Sequence, residues 1–65
     1  MALMEQYVKS HGDLENHFLT GPNAEANRVA AGANLNDPIE KQLEVAGSTH
    51  YDLHGRVEGR QITPP

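Results

Sequence analysis

The last third of the chain alternates. Tyr51, Leu53, Gly55, Val57, Gly59 and Gln61 form a mostly apolar or small series, and the interleaved His50, Asp52, His54, Arg56, Glu58 and Arg60 are all ionisable. A period of two predicts a strand with one wet face. A lone strand leaves its backbone N–H and C=O groups unpaired, and no second stretch of this chain alternates in the same way. The pattern therefore predicts an extended arm that docks on another surface. Residues 48–65 are assigned to that arm and residues 1–47 to short helical segments. The fold class read from the sequence is mainly α: two or three short helices, then an extended C-terminal arm or single β-strand that pairs with a partner.

Size points the same way. The chain has 65 residues and no cysteine, so neither disulfides nor thiolate metal sites are available to stabilise it. A chain of this length buries only about 60% of the surface its unfolded form exposes. Burying one large apolar side chain contributes roughly 1.5–3 kcal/mol, against about 1–2 kcal/mol of backbone entropy for each ordered residue. With the large apolar residues thinly spread, association is the expected remedy. A small helical domain that stands alone is the alternative.

Five Lys and Arg against nine Asp and Glu give a formal net charge of −4, scattered without a basic block. Nucleic-acid affinity rests on clustered cations that neutralise phosphates, so no direct nucleic-acid binding is expected. No apolar run approaches the ~20 residues of a membrane span, so no membrane association is expected. The first residues lack the basic start and apolar core of a signal peptide. The expected location is a virion or the cytoplasm.

Leu3, Met4, Tyr7, Val8, His11, Leu14, Phe18 and Leu19 recur at helical steps along residues 2–19,. Gly12 interrupts them, but the apolar phase continues across it and favours one helix over two. Thr20-Gly21-Pro22 is a stop. A second helix is predicted over residues 24–33, with Asn23 as its cap and a small-residue face of Ala26, Val29, Ala30 and Ala33. Asp37-Pro38-Ile39-Glu40 reads as N-cap, first helical residue and capping box of a third helix carrying Ile39, Leu43 and Ala46, which Gly47 ends.

Four histidines invite a metal reading. His50 and His54 would share one side of a helix, but on a strand they stand roughly 13 Å apart, too far to share an ion. No metal site and no cofactor is therefore expected, and a His-dependent metal module ranks third among the readings. Asp52 with His54, and Glu15 with His17, are nominal acid–base pairs, but a chain this small leaves little room for a catalytic cleft of about 300 Å³. No catalytic residues are assigned. There is no phosphate loop, dinucleotide turn or nucleophile elbow.

The sequence thus predicts a non-enzymatic accessory subunit of a larger assembly, of the virion kind (minor capsid, cement or tail-adaptor protein). It would bind protein partners, further copies of itself included. The predicted partner-binding residues are Leu3, Tyr7, Leu14, Phe18, Tyr51, Leu53, Val57 and Ile62. The alternative is a small regulatory binder, inhibitor- or antitoxin-like, that folds on a target protein.

Overall fold

The computed structural model describes residues 2–62. α1 (Leu3–Ser10) turns Tyr7 and Val8 wholly inward and leaves Leu3 outside. Its N-terminus is capped from the far end of the sequence, where Glu44 Oε1 accepts from the amides of Met4 (2.8 Å) and Glu5 (3.2 Å). A carboxylate there satisfies otherwise orphaned donors and complements the helix dipole. The cap couples α1 to the helix that carries Glu44.

The chain bends at His11 (φ −118°, ψ 111°), so the first helical stretch is two helices rather than the favoured one. α2 (Gly12–Glu15) runs directly into a π-helical turn, Asn16–Thr20, where the Gly21 amide reaches the Asn16 carbonyl at 2.7 Å. Leu14 and Phe18 join Tyr7 and Val8 in one buried cluster. The apolar periodicity survives the bend although the helix does not.

α3 (Ala24–Ala30) is shorter than predicted and turned differently. Ala24 and Arg28 face inward, whereas Ala26, Val29 and Ala30, three of the four residues of the expected face, are exposed and only Ala33, beyond the helix, is buried. The reason is Arg28, 7% exposed. Its Nε donates to Gln42 Oε1 at 2.7 Å and a terminal nitrogen donates to the Phe18 carbonyl at 2.8 Å. A hydrogen-bonded guanidinium with an apolar stem outweighs two alanines and a valine in choosing the buried face.

α4 (Ile39–His50) begins one residue later than predicted, with Pro38 as the N-cap and no capping side chain. Gln42 Nε2 instead donates to the carbonyl of Asp37 at 2.9 Å, tying the preceding loop to the helix. Gly47 does not stop α4. A Cβ there would stand 2.6 Å from the Met4 carbonyl oxygen and 3.0 Å from a Val8 methyl, so glycine is the residue that lets α1 cross directly over α4.

The helix continues past His50 through a π turn, Tyr51–Gly55, into α5 (Arg56–Glu58). This overturns the predicted C-terminal strand: among the described residues there is none. The expected boundary between residues 47 and 48 falls inside this helical run. Residues 63–65 of the predicted arm lie outside the described residues. The alternation misled because two of its apolar-or-small positions are glycines, which define no face. The ionisable series meanwhile pairs at helical spacing, with Arg56 donating to Asp52 across four residues at 3.1 Å,. Extending an existing helix adds one hydrogen bond per residue fixed, while a partnerless strand satisfies none. Gly59, at φ +75°, then turns the chain so that Arg60 points back toward α2.

Tyr7, Val8, Leu14, Phe18, Leu43 and Ala46 form the core, with Met4, Leu19, Ala31, Tyr51 and Ile62 packed around it. No described helix is long and apolar enough to cross a membrane. The radius of gyration, 10.5 Å, equals that of a compact domain of this length, about 10.7 Å.

The α1–α4 crossing generates a paired prediction. Gly47→Ala should lower stability by about 1–3 kcal/mol in urea unfolding, since backbone must move to admit the methyl group. Gly12→Ala, with nothing within 4 Å of the added carbon, should be neutral or stabilising by up to about 1 kcal/mol. Equal effects of the two substitutions would contradict the close crossing.

Candidate functional site

The side chains with chemical potential gather where the helical run of residues 39–58 passes α1 and α2. Tyr7 lies at the centre, fully buried, and its hydroxyl is 2.8 Å from His50 Nδ1. Around its ring stand His11, His50 and Tyr51 at centroid distances of 5.1, 5.9 and 5.4 Å. The hydroxyl fits because residue 55 is glycine: a Cβ there would collide with the Tyr7 oxygen. Burial pushes the Tyr7 phenol above its ordinary value, so it stays protonated,. Burial, followed by the positive charge of Arg60, lowers the pKa of His50. His50 is therefore neutral at pH 7, with one ring nitrogen committed to Tyr7.

His54 follows His50 on the same side of the helix, with ring centroids 5.3 Å apart. Both line an open cleft of about 440 Å³ together with Asp13, Leu14 and His17 of the facing helix. His17 is held by Asn27, whose amide nitrogen is 3.2 Å from His17 Nδ1 and 2.9 Å from its carbonyl oxygen. Asp13 is engaged by Arg60 in a two-pronged pair at 3.0 and 2.7 Å, and Arg60 Nε donates to Glu58 at 2.6 Å. The Arg60 hydrogen bonds hold the Asp13 carboxyl down to about 2 and Glu58 below its ordinary value. They raise the guanidinium's own pKa further. Among the described residues no three His, Asp or Glu side chains converge closely enough to coordinate one ion.

The predicted partner-binding residues separate into three groups. Tyr7, Leu14 and Phe18 lie in the chain's own core, and their burial leaves nothing for a partner to touch. Tyr51 and Ile62 are half-buried against that core. Leu3, Leu53 and Val57 are open, at 51%, 66% and 86% exposure. Leu53 and Val57 are four apart on the outer side of the run whose inner side carries Tyr51 and Gly55 against Tyr7. Beside them Arg56 covers the Tyr51 ring, its guanidinium carbon 5.5 Å from the centroid,.

Sequence reasoning did not find the Tyr7–His50 bond, the Asp13–Arg60 pair or the Arg28–Gln42 bond. The first two join residues more than forty apart and leave no local signal. Gly55 was a partial clue, since a glycine within an ordered element marks close approach of another group. Comparison with known protein families, characterised proteins and solved structures gives no match.

The depressed His50 pKa fixes a pH dependence. Below pH about 6.5 the unfolded chain binds a proton that the folded chain resists, so stability is full above that value and falls as the pH drops through and below it. Urea midpoints should decrease between pH 7.5 and 5.5, and His50→Gln should flatten this slope. Tyr7→Phe should cost about 1 kcal/mol at pH 7.5. An unchanged midpoint across this range in the native chain would contradict the burial of a neutral His50.

Proposed function

We propose that this chain is a small non-enzymatic accessory subunit that binds a protein partner through the outer face of its C-terminal helical run. The carrying observation is the exposure of Leu53 (66%) and Val57 (86%), one helical turn apart on a run whose Tyr51 and Gly55 pack against Tyr7. Covering such side chains contributes roughly 1.5–3 kcal/mol each when fully buried. The exposed Asp52–Arg56 pair lies beside them and supplies the polar rim that surrounds an apolar contact centre. In the sequence-based reading the partner was to be bound by strand addition; the helical geometry replaces that mode with helix-face docking. The assembly is proposed to be of the virion kind, as the sequence-level reading has it.

A photo-crosslinking residue placed at Val57 in the producing cells tests this. The expected result is an adduct with one protein species, absent when the same group replaces the exposed Glu25 and lost when Leu53→Gln is added. The adduct should co-sediment with assembled particles. Equal labelling from positions 57 and 25, or none from 57, would overturn the docking face. An adduct confined to a soluble one-to-one complex would overturn the particle assignment.

A further inference from the structure

We propose that His50 and His54 form a two-imidazole site for a borderline divalent transition-metal ion (Zn²⁺, Ni²⁺ or Cu²⁺) at the cleft they line. The case against sharing an ion assumed a strand, on which these residues would be far apart. On the helical run their ring centroids are 5.3 Å apart. A zinc–nitrogen bond of about 2.0–2.1 Å places each ring centroid roughly 3.2 Å from the metal, so two ligands at a tetrahedral angle have centroids about 5.2 Å apart. The observed centroid spacing matches that distance.

The surroundings favour the same chemistry. His50 Nδ1 faces the Tyr7 hydroxyl at 2.8 Å. The Tyr7 bond engages Nδ1 whichever group donates, which leaves Nε2 as the nitrogen for the metal. Binding there selects the tautomer whose Nδ1–H donates to the Tyr7 oxygen, an outer hydrogen bond of the kind that orients metal-binding histidines. The nearby ionic cluster is Asp13, Glu58 and Arg60, two carboxylates against one guanidinium. The cleft has room for the ion and its waters. With Asp13 held by Arg60 and His17 Nδ1 by Asn27, solvent fills the remaining positions, and imidazole ligands select zinc, nickel or copper over magnesium or calcium. The site does not rest on the protein-docking reading above, although it adjoins that face, since Leu53 lines a pocket with both histidines.

Titration calorimetry of the full chain with zinc chloride and with nickel chloride at pH 7.5 tests the assignment. The expected result is one ion per chain, with affinity reduced more than about tenfold by His54→Ala, an exposed position that leaves the core untouched, and by a comparable factor in Tyr7→Phe. Affinity should change by less than about twofold in His17→Ala. Magnesium chloride should give no saturable heat. In NMR spectra the imidazole signals of His50 and His54 should shift together with added zinc. Absence of saturable zinc or nickel binding, or binding undiminished by His54→Ala, would overturn the proposal. An equal loss on His17→Ala would overturn the two-imidazole form of it.

Discussion

The hydrogen bond between Tyr7 and His50 depends on a missing atom. Only with glycine at position 55 can the helical run of residues 39–58 lie over the Tyr7 hydroxyl, and only then does that hydroxyl meet His50 Nδ1. A buried phenol without a partner would cost about 1–3 kcal/mol, so the burial of Tyr7 and the helical path of the C-terminal stretch require each other. Gly47 does the same for the other end of the contact, admitting the Met4 carbonyl and Val8. Glu44 then caps the helix that carries Tyr7. Glu44, Gly47, His50 and Gly55, all on one helical run, thus determine where α1 sits.

This explains how a chain with few large apolar residues closes a core. Polar groups take over part of the task that apolar area performs in larger domains. Arg28 reaches through the interior to Gln42 and the Phe18 carbonyl, and Gln42 holds the loop before α4. No buried side-chain nitrogen or oxygen among the described residues lacks a partner. Satisfied polar contacts of this kind select one arrangement, because each alternative packing leaves a donor or acceptor stranded. The Asp13–Arg60 pair sits outside, where ion pairs contribute little, but its two-pronged geometry sets the direction of the chain after Gly59.

The sequence made part of this legible. Helical periodicity in residues 2–19 identified Tyr7, Val8, Leu14 and Phe18 as one apolar stripe, and the stop at Thr20-Gly21-Pro22 held. Leu43 and Ala46 were placed on the correct helix and the correct face, whereas Ile39, expected on the same face, is exposed. What failed were inferences from glycine and from alternation. Gly47 read as a stop because local rules treat glycine as backbone freedom, whereas here it supplies space for a neighbouring element. Alternation in residues 50–60 is compatible with a helix once Gly55 and Gly59 are discounted, and the Asp52–Arg56 and His50–His54 spacings were the competing signal. Burial of Arg28 had no local signature. Of the predicted binding residues, those that fit the stripe rule best proved to be core, which leaves Leu3, Leu53 and Val57 as the open apolar positions.

Residues 51–58 are helical and fold as one unit with α1 and α4 in the isolated chain. Amide hydrogen exchange followed by NMR tests this most directly. The amides of Tyr51–Gly55 should be protected and open together with those of Tyr7, Val8 and Leu43, at the free energy of global unfolding. Free exchange across Tyr51–Gly55 while Ile39–His50 remains protected would contradict it, and would return this stretch to an arm awaiting a partner.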